Sequence, residues 1–192
     1  LPHQFPELKT LDSRPNNLPI QPTQLIGRVA QLKEISVATF ESEERLVTVT
    51  GPGGIGKTRL ALQFAADNIE RFPDGVYFVD LAPLDDAGLM VPVVARTLHL
   101  TEPKDISFFD ALVEHIRHKR MLLILDNLEQ IMDARGHVVA LLQQCPSLRV
   151  VVTSREPLKV RAEKVVTIPP LPVPEEREYS EAIPALTQFE SV

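Results

Sequence analysis

Short runs of consecutive apolar residues alternate along the chain with longer segments in which apolar residues recur every three or four positions. The runs predict β-strands at residues 46–50, 76–81, 121–125, 148–153 and 164–168. The longer segments predict helices, because residues at this spacing share one helix face. Strands that alternate with helices favour a doubly wound α/β fold, with a mostly parallel five-stranded sheet and helices on both faces.

The helical segments are marked by their apolar stripes and by a capping residue. Helices are expected within residues 25–40, from 59 to about 71 and from about 88. A capping-box pattern at Ser107 opens a fourth helix. A fifth helix carries Cys145 on its apolar face, so this cysteine is expected in the core.

Proline is concentrated near the two ends of the chain, where it disfavours regular structure. Residues 1–22 therefore predict an extended lead-in linker, and residues 23–168 predict the folded domain. Residues 169–192 predict a proline-rich exit linker and the start of a truncated helical domain. Because residue 1 is not methionine, we expect the chain to be part of a longer protein.

Composition narrows the range of partners. The chain of 192 residues has a formal net charge of −6, so no general affinity for nucleic acid or an anionic membrane is expected. Its 1 cysteine excludes an internal disulfide framework and fits a reducing compartment. No apolar run is long enough to cross a bilayer. A cytoplasmic domain without direct nucleic-acid or membrane binding is expected.

The glycine-rich sequence GPGGIGKT at residues 51–58 is the most informative segment. It fits the phosphate-binding pattern Gly, four residues, Gly-Lys-Ser/Thr, and it lies between an apolar run and good helix formers. Glycines let backbone N–H groups face a phosphate chain, and the positive end of the next helix adds to the field. Lys57 offers a charge to the β and γ phosphates, and Thr58 a hydroxyl to Mg²⁺. The alternative, an incidental glycine-rich turn, is disfavoured by the strand–loop–helix context.

Asp126 directly follows the apolar run Leu-Leu-Ile-Leu. A carboxylate at this position is expected at the carboxyl edge of a parallel sheet, beside the phosphate loop, where it can hold Mg²⁺ directly or through water. A structural role as a loop cap is the alternative. The phosphate loop upstream favours the metal role.

Arg155 follows Thr153 and Ser154 at the end of the fourth predicted strand. From the carboxyl edge of the sheet, an arginine can reach a γ-phosphate and report its loss. Taken alone, Arg155 would be an ordinary surface residue in a turn. Together with the phosphate loop and Asp126, it is favoured as a sensor of the γ-phosphate.

The order GPGGIGKT, LLILDN and VVVTSREPL resembles the STAND class, the signal-transduction ATPases with numerous domains. This class includes the nucleotide-binding (NB-ARC) domains of plant resistance proteins and apoptotic scaffolds. The likeness is strongest to ATPase modules of large bacterial LuxR-type and AfsR-type transcriptional regulators. Linking segments match as well, so the resemblance covers residues 16–174. The lead-in also looks like a connector that follows a class III adenylate cyclase domain in some bacterial proteins.

The resemblance implies a P-loop NTPase sheet of the AAA+/STAND type. In that fold the Arg155 strand lies between the phosphate-loop strand and the Asp126 strand. Ile26-Gly27-Arg28 matches an entry motif whose backbone lies against adenine. Val29 and Gln31 stand where the family usually has acidic residues, so the resemblance carries over the backbone role of this motif and no side-chain role.

The resemblance also implies a set of site residues for ATP or ADP and Mg²⁺. The implied nucleotide-binding residues are Ile26, Gly27, Arg28, Gly51, Pro52, Gly53, Gly54, Ile55, Gly56, Lys57, Thr58 and Arg59. The implied metal ligands are Thr58 and Asp126. The candidate catalytic residues are Lys57, Asp126 and Arg155, together with Glu129 as the nearest carboxylate.

Asn127 stands where many relatives carry a second acid directly after the metal aspartate. Asparagine cannot accept a proton, although it can orient a water molecule, and Glu129 is the nearest alternative base. We therefore expect an ATP/ADP-binding switch that hydrolyses ATP slowly with Mg²⁺. The resemblance implies that it controls neighbouring domains of the same chain and self-associates when ATP is bound.

Two other functions remain open at this point. Asn127 would also suit a scaffold that keeps ADP without hydrolysing ATP. A small-molecule kinase on a phosphate-loop scaffold would need an acceptor pocket and a lid, and no arginine-rich lid segment is visible in the sequence.

Overall fold

The computed structural model describes residues 14–23 and 25–170, which contain a parallel β-sheet flanked by helices. The strands are β1 Leu46–Thr50, β2 Val76–Asp80, β3 Leu122–Asp126, β4 Arg149–Ser154 and β5 Glu163–Thr167. Their order across the sheet is β2-β3-β4-β1-β5, and every pairing is parallel. The predicted five-stranded doubly wound sheet is confirmed, and β4 lies between β1 and β3 as expected.

Helices and short 3-10 segments connect the strands. The helices are α1 Val29–Phe40, α2 Lys57–Asp67, α3 Met90–Thr97, α4 Phe108–Ile116 and α5 Arg135–Gln144, and the 3-10 segments are Ile69–Arg71, Ala87–Leu89 and Leu128–Ala134. The helix expected to reach residue 71 ends at Asp67, because Asn68 caps it by donating Nδ2 to the Phe64 carbonyl at 2.8 Å. Ser107 caps α4 as predicted, accepting from the Asp110 N–H at 3.1 Å.

The core occupies both faces of the sheet. Every residue of β3 is buried, as its continuous apolar sequence predicts. Leu123 and Leu125 pack with residues of α3, α4 and α5, whereas Leu122 and Ile124 pack with residues of α1 and α2. Cys145 is buried, as expected. Packing on both faces holds β3 in place in the sheet, and it thereby positions the carboxylate at the end of β3.

Residues 15–17 of the predicted lead-in pair with the free edge of β2. Asn16 forms a parallel bridge with Val76, whose N–H donates to the Pro15 carbonyl at 3.0 Å. The Asn17 side chain accepts from the Phe78 N–H at 2.6 Å and donates to the Phe78 carbonyl at 2.8 Å. The sequence did not predict this contact, which covers backbone groups of an edge strand.

The two predicted linkers lie partly outside the described residues. Residues 1–13 of the lead-in and residues 171–192 of the exit segment lie there, so these linkers and the following helical domain stay predictions. Among the helices that are described, none combines the length and the apolar character needed to cross a membrane.

Candidate functional site

The glycine-rich loop connects the end of β1 to the start of α2. Gly54 and Gly56 have φ angles of 76° and 95°, a left-handed backbone that side chains with a Cβ rarely adopt. A Cβ at either position would meet no atom within 4 Å, so it is the backbone angle that requires glycine there. Because Gly56 is the N-cap, α2 begins at Lys57 and directs its positive end to the loop.

Lys57 lies folded over this loop and is only 7% exposed. Its Nζ donates to the carbonyls of Gly51 at 2.8 Å and Pro52 at 3.0 Å. No carboxylate of residues 14–23 or 25–170 forms an ion pair with it. A buried ammonium whose partners are neutral carbonyls is a strong attractor for an anion, because phosphate oxygens would add the missing opposite charge.

Asp126 is the last residue of β3 and is 3% exposed. Its Oδ1 accepts from the hydroxyls of Thr58 at 2.7 Å and Thr153 at 2.5 Å, and its Oδ2 accepts from the Asn127 amide at 2.9 Å. The structure thus brings together the two residues predicted as metal ligands. Both offer hard oxygen atoms, which are the ligands that Mg²⁺ prefers.

Burial raises the pKa of Asp126 above its ordinary value, although the hydrogen bonds from Thr153 and Thr58 act in the opposite direction. The negative charges of Asp80 and Glu129 raise this pKa further. Between the ordinary and the raised pKa, the folded chain keeps a proton that the unfolded chain has lost, so the free energy of unfolding falls as the pH rises through that window. A bound cation would reverse this penalty by favouring the carboxylate.

Arg155 directly follows β4, between the loop strand and the Asp126 strand, and its side chain is 66% exposed. Its Nε lies 3.3 Å from Oε1 of Glu129, whose side chain is 12% exposed. The other oxygen of Glu129, Oε2, is buried without a hydrogen-bond partner. Two residues predicted for separate roles are therefore paired with each other.

Asn127 adopts a left-handed backbone, with φ at 62°, and its amide donates to Asp126. Its backbone N–H donates to the Thr153 hydroxyl at 3.0 Å. The side chain that stands in place of a second acid therefore orients the carboxylate of Asp126. Its amide nitrogen is committed to this contact.

The entry motif, residues 26–28, and the residues just before it lie against the phosphate loop. Arg28, 6% exposed, donates to the carbonyls of Ile55 at 3.2 Å and Pro169 at 2.7 Å. Arg59 donates to both oxygens of Thr23. A cavity of about 330 Å³ lies between the two segments and is lined by Thr23, Leu25, Ile26, Arg28, Ile55, Gly56 and Arg59. Its mixed apolar and polar lining beside the loop is the kind of surface that accepts a flat organic ring.

Two residues of the site were missed in the sequence. Asp80 ends β2 directly opposite Asp126 in the register, and Thr153 donates to Asp126 from β4. Asp80 ends its strand at the carboxyl edge, as Asp126 does, and Thr153 is the residue before the last of β4. Only the sheet order places them beside it, and hydrophobic patterning does not reveal that order.

These features define a class of protein. A strand, a glycine loop with a buried lysine and a helix, faced by a strand-terminal aspartate in a parallel sheet, make a nucleotide-binding domain of the P-loop NTPase class. The chain belongs within this class to the NB-ARC domain family, which matches residues 28–165.

Relatives of the chain include much longer regulatory proteins. A protein of Mycobacterium tuberculosis named as a putative HTH-type transcriptional regulator is 41% identical over 136 residues, covering 70% of this chain and 15% of that protein. The regulatory protein AfsR of Streptomyces griseus is 31% identical over 156 residues, covering 74% of this chain and 15% of AfsR. The chain therefore spans about 15% of the length of these two relatives.

Solved structures share the fold at low sequence identity. The Cdc6p protein of Pyrobaculum aerophilum superimposes with a TM-score of 0.60 at 17% identity, over 75% of this chain and 46% of that one. The ORC2 protein of Aeropyrum pernix superimposes with a TM-score of 0.56 at 12% identity, over 88% of this chain and 54% of that one. At such identities the likeness concerns the fold alone.

Proposed function

We propose that this domain is an ATP/ADP switch that hydrolyses ATP slowly with Mg²⁺ and passes its nucleotide state to neighbouring domains of a regulatory protein. The observation that carries the proposal is the 2.7 Å hydrogen bond between Thr58 and Asp126. It joins the phosphate loop to the carboxylate at the end of β3. At these positions of a P-loop site the two side chains would hold a magnesium ion, which would supply positive charge to the phosphates.

The roles of the site residues follow from their surroundings. Lys57 exchanges its loop carbonyls for phosphate oxygens, which offer a full negative charge. Thr58 and Asp126 hold Mg²⁺, which would neutralise charge on the phosphates and orient them. The cavity lined by Ile26, Arg28 and Ile55 takes the adenine ring.

Slow hydrolysis is expected because no well-placed base is visible among residues 14–23 and 25–170. The Asn127 amide cannot accept a proton and donates to Asp126. Glu129 is a carboxylate, but its Oε1 is held by Arg155. Glu129 can orient water through its buried Oε2 only when that ion pair opens, which makes hydrolysis depend on the state of Arg155.

The ion pair also suggests how the γ-phosphate is sensed. Arg155 has two alternative anionic partners, the carboxylate of Glu129 and the γ-phosphate of ATP. With ADP the guanidinium stays on Glu129, and with ATP it moves to the phosphate and releases Glu129. Glu129 lies in the 3-10 segment Leu128–Ala134, directly before α5, so its release can alter how that helix packs. Such coupling requires that ATP and ADP differ in their affinity for the two conformations of the domain. In this proposal Arg155 supplies that difference.

The relatives support the wider setting of the proposal. Two of them are named as regulators, and the ORC2 protein that shares the fold was solved as ADPNP–ADP complexes. We extend this to a cytoplasmic parent protein in which the domain controls its neighbours and self-associates with ATP. An upstream cyclase domain is part of the same hypothesis.

Calorimetric titration of the 192-residue chain tests nucleotide binding. ATP and ADP should each bind at one site, and ATP should bind more tightly when Mg²⁺ is present than when it is chelated. Tripolyphosphate without a base is the matched control for the adenine cavity and should bind more weakly than ATP. Equal binding of ATP and tripolyphosphate would contradict the adenine assignment.

Replacement of Asp126 by asparagine should remove the effect of Mg²⁺ on ATP affinity. The amide lacks the negative charge that holds the cation, so we expect the gain in ATP affinity with Mg²⁺ to fall about tenfold or more. Affinity measured in chelator should change little. Asp67→Asn, an exposed carboxylate at the end of α2 away from the phosphate loop, is the control and should keep the Mg²⁺ effect. A full Mg²⁺ effect in Asp126→Asn would contradict the metal assignment.

One alternative is favoured by a specific contact. In this alternative the site holds ADP without turnover, because the Asn127 amide donates to Asp126 and cannot accept a proton. A scaffold of this kind would bind both nucleotides but release no phosphate.

A further inference from the structure

An arginine lies at or before the start of each of four adjacent strands. Arg71 comes before β2, Arg120 before β3, and Arg45 directly before β1, while Arg149 is the first residue of β4. The sheet order β2-β3-β4-β1 brings these four side chains to one edge. Because the strands are parallel, this is the amino edge, opposite the carboxyl edge that carries the phosphate loop.

These arginines share one cavity of about 310 Å³. It is lined by Phe40, Arg45, Arg71, Phe72, Arg120, Pro146, Ser147 and Arg149, and we call it the arginine pocket. No acidic side chain lines it. The carboxylate of Asp74 is close by, where it accepts from the backbone N–H of Arg120 at 2.8 Å.

Several of the guanidinium groups are held in place. Arg45 donates to the carbonyls of Leu142 at 2.6 Å and Cys145 at 2.7 Å, and Arg149 donates to that of Glu44 at 3.4 Å. Arg71 lies over the ring of Phe40, 4.2 Å from its centroid. A ligand would therefore meet groups whose freedom is already restricted, which lowers the entropic cost of binding.

The charges of the arginine pocket are not balanced by the described residues. No carboxylate of residues 14–23 or 25–170 forms an ion pair with any of these arginines. Burial lowers the pKa of Arg149, and the charges of Arg45 and Arg120 lower it further. Like charges held together in this way repel, in a chain whose net charge is −6. An anion in the pocket would offset that repulsion.

We propose that the arginine pocket binds a small ligand carrying a phosphate or pyrophosphate group, at a site separate from the nucleotide site. Guanidinium groups bind phosphate oxygens in a two-pronged geometry, and one compact group of multiple charge can face several arginines at once. The concave shape favours a compact anion over an extended acidic chain. The arginine pocket lies at the amino ends of strands that carry the nucleotide site at their carboxyl ends. An anion bound there would therefore act on the same sheet that holds the nucleotide.

Titration with inorganic pyrophosphate tests the proposal. Every protein carries Lys57→Ala, so that the phosphate loop contributes little to pyrophosphate binding. The result then does not depend on the proposed nucleotide function. The test variant adds Arg71→Gln and Arg120→Gln, the two exposed arginines, and it keeps the Arg45 contacts to carbonyls. The control instead adds Lys33→Gln and Lys104→Gln, two exposed lysines outside the pocket, so both proteins lose the same charge.

We expect pyrophosphate to bind the Lys57→Ala chain and to bind about tenfold more weakly after loss of the two arginines, with little change in the control. Equal weakening in both variants would show a general effect of charge and overturn the site. Absence of binding to the Lys57→Ala chain would also overturn it, as would tighter binding of hexaglutamate than of pyrophosphate. If circular dichroism shows that Lys57→Ala does not fold, Lys57→Gln replaces it in every protein and the same outcomes apply.

Discussion

Replacement of Lys57 by alanine is expected to weaken ATP binding about thirtyfold or more, the largest effect of any single substitution in the site. Lys57 is the buried cation of the phosphate loop, and its ammonium group would bind the β and γ phosphates directly. Its present partners are carbonyls of the loop itself, so the loss of its ammonium removes charge without exposing an ionic partner. Calorimetry of ATP binding measures the effect directly.

The control for this variant is Lys33→Ala, which removes an exposed charge from α1. It should leave ATP affinity within about twofold of the original chain. The thermal midpoint of unfolding should be recorded for both variants, so that a loss of binding is not confused with a loss of folding. Unchanged ATP affinity in Lys57→Ala would contradict the assignment of the phosphate site.

The second large effect is expected from Arg155→Ala, as a change in preference between nucleotides. The ratio of ATP affinity to ADP affinity should fall about tenfold, with ADP affinity largely retained, because only ATP offers a γ-phosphate to this arginine. Thermal stability should change little, since an ion pair whose arginine is 66% exposed contributes about 0–1 kcal/mol.

Glu129→Gln is the variant matched to Arg155→Ala, and it tests whether the two side chains act as a switch. It removes the competing partner of Arg155 and leaves the arginine in place, so the preference for ATP should increase. The double variant should behave as Arg155→Ala alone, because Glu129 acts through the arginine. An equal loss of ATP and ADP affinity in Arg155→Ala would point to a structural role for this side chain.

The fold and the central part of the site could be predicted from the sequence because their signals are local. The phosphate loop is one continuous segment, and the apolar run before Asp126 predicts both a buried strand and its polar end. The position of β4 beside β1 was implied by the family resemblance. Hydrophobic patterning carries no information on that order.

The remaining features depend on contacts between distant segments. Asn17 contacts β2 across 61 residues, and no pattern in the lead-in reveals which sheet edge it pairs with. Glu129 and Arg155 were each recognised, but their pairing depends on the path of the 3-10 segment after β3. The four arginines of the arginine pocket are scattered in the sequence, and only the sheet order makes them neighbours.

A single-turnover experiment tests the central claim most directly. The 192-residue chain, in excess over ATP labelled at the γ-phosphate, is incubated with Mg²⁺, and the labelled products are followed in time. Our account predicts release of free phosphate to water at a rate on the order of 10⁻⁴ to 10⁻² s⁻¹, the range of P-loop switches without an added catalytic group. Intact ATP after many hours would contradict slow hydrolysis and favour an ADP-holding scaffold, and label on an acceptor other than water would contradict the switch in favour of a kinase.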